Sequence, residues 1–127
     1  MNTIAIGKKI WAIAEGYIPA HSNGPEPQME SHETACILNT SDWDARIELT
    51  LYFSDSDPVG PYIIEVKARR TKHVRFNDLK DPREVPKDVE YASVFISDVP
   101  VVIQHSRLDS RQSENALMTT IAFSGNE

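Results

Sequence analysis

The segment Arg46–Phe53 alternates without interruption. Ile47, Leu49, Leu51 and Phe53 fall on one side of an extended chain, and Arg46, Glu48 and Thr50 fall on the other. A period of two marks a strand with one face buried and one face in water. The same reading predicts strands at Lys9–Glu15, Thr34–Asn39, Tyr62–Ala68, Lys72–Phe76, Tyr91–Ser97, Val101–Ser106 and Leu117–Phe123.

Turn chemistry separates these runs. Asn39-Thr40-Ser41-Asp42 and the stretch from Asp55 to Pro61 concentrate residues that favour turns. Asp98-Val99-Pro100 is predicted to close a hairpin, and the stretch from Asn77 to Pro82 accommodates one helical turn. Ile18–Glu30 carries three prolines and one glycine in thirteen residues, so it reads as a long loop, either functional or a proline-stiffened surface connection. Asp109 followed by Gln112 resembles a capping box, which allows a helical start over Ser110–Met118. Short strands, frequent turns and little helix predict the all-β class: a single-domain antiparallel β-sandwich of about eight strands over residues 1–127, with a small barrel as the alternative.

A chain of 127 residues fits one domain, and at that size about two-thirds of the unfolded surface is buried without staples. The net charge of −6 argues against a generic nucleic-acid binder. It suits a basic partner, such as the Lys/Arg-rich cytoplasmic loops of membrane proteins. The single cysteine, Cys36, excludes an intrachain disulfide, and among Ala35, Ile37 and Leu38 it reads as a small core residue. Lys8 and Lys9 follow the short apolar stretch Ile4-Ala5-Ile6 instead of preceding it, and no apolar run approaches the ~20 residues of a membrane helix, so a cytoplasmic protein is expected.

The chemistry-bearing residues are sparse. His21, His32, His73 and His105 have no metal-type spacing and Cys36 has no cysteine partner, so neither a metal nor a cofactor is expected. A triad assembled from Ser106 or Ser110 with His105 and Asp109 lacks a strand–turn–helix nucleophile elbow. Glu15, Glu33 and Glu114 are candidate acid/base groups that nothing in the sequence brings together. The chain is therefore not expected to be an enzyme.

Three regions remain as binding or interface candidates. In Ala68–Phe76, Arg70 and Lys72 share one strand face while Arg69, Thr71, His73 and Arg75 share the other. This is either a charged edge strand that resists aggregation or a surface for a phosphate or acidic ligand. In Gln104–Asn115, a strand runs into a polar segment in which Arg107, Asp109, Arg111 and Glu114 carry both charge signs, as in a structural network or a subunit interface. The aromatic residues Trp11, Tyr17, Trp43 and Tyr52 offer stacking faces, although Trp11, beside Ile10, Ala12 and Ile13, also fits a core position.

Five stretches carry a resemblance: "WAIAEGYIPAHSNGPEPQ" (Trp11–Gln28), "SHETACILN" (Ser31–Asn39), "YFSDSDPVGPY" (Tyr52–Tyr62), "ARRTKHVRFNDL" (Ala68–Leu79) and "QHSRLDSRQSENAL" (Gln104–Leu117). In this order they resemble the sensory rhodopsin transducer family over nearly the whole chain. The resemblance implies a β-sandwich that assembles as a fourfold-symmetric homotetramer. It implies a cytosolic adaptor that binds the cytoplasmic side of a seven-helix photoreceptor and relays to a downstream target. It carries over no catalytic motif. It also leaves open a sugar-like ligand, because the fold has been compared with carbohydrate-binding sandwiches, and DNA, because the family has been linked to transcriptional output. The ligand-binding or interface candidates are Trp11, Glu15, Tyr17, His32, Glu33, Arg70, His73, Arg75, His105, Arg107, Asp109 and Arg111.

Overall fold

A computed structural model describes residues 4–20, 31–109 and 116–125, with the backbone alone at Asp109 and Ala116. Its strands are β1 (Lys8–Tyr17), β2 (His32–Asn39), β3 (Ala45–Phe53), β4 (Val59–Val66), β5 (Arg70–Arg75), β6 (Glu90–Asp109), β7 (Ala116–Ile121) and β8 (Phe123–Ser124). One turn of 3-10 helix, Phe76–Asp78, starts one residue before the predicted helical turn. The all-β expectation therefore holds, and every strand pairing is antiparallel.

Two sheets share one long strand. The first runs β4-β3-β6-β1-β8; in the second, β2 lies between β5 and β6, and β7 pairs with β6 on its other side. The 20-residue β6 belongs to both. Up to Val101 it pairs with β1 and β3, and from Val102 it pairs with β2 and then β7.

The hairpin expected at Asp98-Val99-Pro100 is absent, because the chain turns a corner there instead of reversing. In the β1–β6 register, Lys8 faces Val101 while Ile10 faces Ile96, so four residues of β6, 97–100, stand opposite Lys9 alone. Pro100 has no N–H to give a ladder, and side chains take over the local bonding. Ser97 Oγ donates to Val99 O at 2.6 Å, and Asp98 Oδ1 accepts from Arg46 N at 2.8 Å. A bulged corner of this kind is how one strand passes between packed sheets.

The end of the chain repeats the pattern. The strand predicted over Leu117–Phe123 is divided into β7 and β8 at Ala122, whose N–H donates to Ile103 O at 3.0 Å. β7 lies in the second sheet and β8 pairs with β1 in the first. The helical start expected over Ser110–Met118 is not made at its C-terminal end, where Leu117 and Met118 are strand; residues 110–115 lie outside the described residues.

The core fills the space between the sheets. Ile47, Leu49 and Leu51 of β3, Ala35 and Ile37 of β2, and Phe95, Val101 and Ile103 of β6 are fully buried. Each large aliphatic side chain among them contributes roughly 1.5–3 kcal/mol relative to exposure. Phe76 meets the Tyr91 and Phe95 rings at centroid distances of 5.5 and 6.3 Å and closes one end of the core. Cys36 departs from the core reading. It alternates with Ala35 and Ile37, so it points away from the other sheet and is half-buried.

β2 carries a buried polar residue near each end of its inward face. Asn39, at the C-terminal end, is fully buried. Its Nδ2 donates to Trp43 O, Val66 O and Lys67 O at 2.7, 3.1 and 3.3 Å. Its Oδ1 accepts from Ser41 N and Ser41 Oγ. Asn39 thus ties the β2–β3 turn to the end of β4 through neutral groups. Near the N-terminal end lies Glu33, whose surroundings differ in kind.

Candidate functional site

Strand alternation alone aims Glu33 inward, in step with Ala35, Ile37 and Asn39. β6 does the same for Ile103, His105 and Arg107. The β2–β6 register sets Glu33 opposite Arg107 and Ala35 opposite His105. Three ionisable side chains are thereby brought together between the sheets. The Glu33 carboxylate has no exposure at all, and the His105 side chain is nearly as buried.

Both carboxylate oxygens of Glu33 are in use. Oε1 shares a hydrogen bond with His105 Nε2. Oε2 accepts from Arg107 Nε at 2.5 Å and from the Tyr17 backbone N–H at 3.2 Å. Arg107 also donates from Nη2 to Glu15 Oε1 at 2.5 Å, linking the buried carboxylate to one at the rim. A buried charge costs several kcal/mol unless it is paired and hydrogen-bonded. Here one guanidinium spans two carboxylates, using its fixed fork of donors. Burial alone would lower the Arg107 pKa, but the hydrogen bonds and charges of Glu15 and Glu33 outweigh it and the net shift is upward.

A bulge puts Glu15 in place. Ile13 pairs with Ser93 and Gly16 with Tyr91, so β1 has one residue more than β6 in this interval. The extra residue re-aims the chain at Ala14 and Glu15. Gly16 is required beyond it, since a Cβ there would lie 2.5 Å from Tyr91 Cε2. The Tyr91 ring is buried against Gly16, and its hydroxyl has no hydrogen-bond partner among the described residues. Burial, reinforced by the Glu33 charge, pushes that hydroxyl's pKa far upward, so it stays protonated.

A second layer supports the cluster. Asn77 Nδ2 donates to Ser31 O at 3.0 Å, and Asn77 Oδ1 accepts from Glu33 N at 3.4 Å. Arg75 Nη2 lies 2.6 Å from His32 Nδ1. Asp88, at a positive φ of 60°, accepts at Oδ1 from Ala20 N at 3.0 Å and from Tyr17 Oη at 3.4 Å.

The predicted candidates divide clearly. Glu15, Tyr17, Glu33, His105 and Arg107 form one cluster, and His32 and Arg75 lie at its edge. Arg70 and His73 are exposed on β5, which pairs only with β2 among the described residues and is the charged edge strand of one sequence reading. Trp11 is 5% exposed and its Nε1 donates to Lys8 O and Val101 O, so it is core and offers no stacking face. The Asp109 side chain and Arg111 lie outside the described residues. Asn77, Asp88, Gly16 and Tyr91 were not singled out in the sequence. Asn77 and Asp88 sit in polar connecting segments, where an asparagine or aspartate reads as turn chemistry. The carboxylates Glu15 and Glu33 do converge, but an arginine holds each of them.

The class of protein is now defined: an all-β sandwich with a shared strand, whose one end is closed by a carboxylate–histidine–arginine cluster. Residues 6–124 match the model of the family described as the Anabaena sensory rhodopsin transducer, and the chain belongs to that family. Among solved structures it is similar to the Anabaena sensory rhodopsin transducer itself, at 62% identity and a TM-score of 0.75, covering 81% of this chain and 99% of that one. It is also similar to a Thermotoga maritima protein, titled "Crystal Structure of Thermotoga maritima 1070", at 38% identity and a TM-score of 0.84, covering 94% of this chain and 96% of that one. No curated protein matches. Among the described residues, no helix is long and apolar enough to cross a membrane.

Proposed function

We propose that this protein is a non-catalytic signalling adaptor. It acts as a cytoplasmic homotetramer that binds the cytoplasmic face of a sensory rhodopsin and passes the receptor's state to a downstream target. The observation that carries this reading is the 62% identity, over nearly all of the matched chain, to a protein whose name is sensory rhodopsin transducer. Two physical features agree with it. The net charge of −6 complements the Lys/Arg enrichment of cytoplasmic membrane-protein loops and steers encounter with them. Both carboxylate oxygens of Glu33 are held by His105, Arg107 and the Tyr17 backbone, which suits a rigid scaffold.

The test is a titration of the purified protein against a cognate sensory rhodopsin in nanodiscs. Saturable binding that weakens with salt supports the adaptor; a flat titration against every cognate receptor overturns it. Sedimentation supplies the assembly state, with about four times the 14.3 kDa chain mass expected and a purely monomeric profile counting against the tetramer.

A further inference from the structure

The outer face of the first sheet holds a cavity of about 250 Å³ beside the Glu33 cluster, lined by Ala14, Glu15, Tyr52, Ser54, Glu90 and Ala92 together with Phe53 and Tyr91. Its origin is local. Ala92 pairs with Tyr52, and the β1 bulge turns Ala14 and Glu15 toward the same end of the sheet. Two alanines leave a hollow among larger neighbours. Tyr52 stands 45% exposed at its side.

Its chemistry is one-sided. The ionisable side chains lining it, apart from tyrosine, are the carboxylates of Glu15 and Glu90. Arg107 binds Glu15 at Oε1, but Glu90 has no ion-pair partner among the described residues. An aromatic ring attracts a cation through its negative face, and a nearby carboxylate adds a charge-assisted hydrogen bond. The volume falls below the ~300–1,000 Å³ of pockets that enclose a whole drug-sized ligand. It suits the end of a single side chain.

We propose that this cavity takes a lysine or arginine side chain from a basic segment of a protein partner, with Tyr52 against the cation and Glu90 as its counter-charge. Glu15 contributes less, because Arg107 already holds it. This inference rests on the adaptor reading for the identity of the partner, the basic cytoplasmic segments of the receptor. The recognition itself can be measured without that receptor.

The probe is a short peptide with one arginine in a glycine–serine background, compared with the same peptide carrying neutral, isosteric citrulline. Amide NMR shifts are followed on the full chain. The arginine peptide is expected to shift the amides of Glu15, Tyr52 and Ala92, and citrulline is expected to leave them in place. Glu90→Gln and Tyr52→Ala, both at exposed positions that spare the fold, should each weaken the arginine peptide by about threefold to fivefold, the scale of one rim-exposed charge contact. Equal binding of citrulline, shifts centred elsewhere on the surface, or unchanged affinity in both variants would each overturn the proposal. Peptide binding here with no receptor binding would leave this site standing and remove the adaptor reading. Receptor binding with no peptide response here would do the reverse.

Discussion

The two ends of β2 solve the same problem in opposite ways. Glu33 and Asn39 share a strand face, six residues apart, and both are fully buried. Asn39 is satisfied by backbone carbonyls and one serine, all neutral and all near the adjoining turns. Glu33 is satisfied by a histidine, an arginine and a backbone N–H drawn from β6 and β1. The neutral end ties neighbouring turns together. The charged end joins the two sheets, reaches the surface through Arg107 and Glu15, and borders the cavity. A buried charge is costly unless it is paired and hydrogen-bonded, so the charged end depends more steeply on its partners than the neutral one does.

The sharpest way to break this contrast is Arg107→Ala. It leaves Glu33 buried with one charged partner removed, and such losses cost ~3–5 kcal/mol. Urea titration should show that drop. A loss under about 1 kcal/mol would mean that the ion pair behaves like an exposed one and that the charged end is not special. Arg107→Lys should recover only part of the loss, since an ammonium lacks the fork that reaches Glu33 and Glu15 together.

At the neutral end, Asn39→Ala abandons three carbonyls, and an unsatisfied buried polar group costs ~1–3 kcal/mol. Its effect should be insensitive to salt. Salt dependence equal to that of Arg107→Ala would erase the distinction between the two ends.

Gly16→Ala tests the seat of Tyr91 beside the charged cluster. The added Cβ overlaps the ring, and overpacking costs ~1–3 kcal/mol. Near-UV circular dichroism should report the displaced tyrosine. An unperturbed spectrum with full stability would show that β1 shifts freely there.

Much of this was legible in the chain, for a physical reason. Strand alternation has a period of two regardless of what a strand packs against, so Arg46–Phe53 and Thr34–Asn39 could be read directly, whereas Glu33 lay just outside the predicted strand and its inward aim came only with β2 starting at His32. The resemblance to the transducer family was likewise legible, and the family match bears it out. The corner at Asp98-Val99-Pro100 was not legible, because a proline beside an aspartate looks the same in a hairpin and in a bulge. Only the competition of β1, β2, β3 and β7 for one strand decides between them. The convergence of Glu15 with Glu33 depended on register and on a one-residue bulge, neither of which periodicity encodes. Trp11 lies at the other limit: its apolar neighbours pointed to a core position, and that is where it sits.

The smallest expected effects lie on the surface. Glu15→Gln should change stability by less than about 1 kcal/mol, because the carboxylate is largely exposed. A larger change would extend the structural cluster to the rim. Asp44 offers a pH test near the neutral end. The backbone N–H of Ala68, and secondarily Lys67, hold its carboxyl below the usual aspartate range. A depressed folded-state pKa means the stabilisation is present above the unfolded value and fades as pH falls through the folded one. Carbon-detected NMR should place its midpoint below that of an unstructured aspartate, and Asp44→Asn should remove that acid-side dependence. An ordinary midpoint would remove the Ala68 bond as an influence.

The most direct measurement is an amide NMR map of the protein titrated with a cognate sensory rhodopsin in nanodiscs. The proposed binding at the charged end predicts saturable shifts concentrated at Glu15, Tyr52, Glu90 and Ala92, with Asn39 and Ser41 silent. Shifts centred on Asn39 and Trp43, or no binding at all, would contradict it.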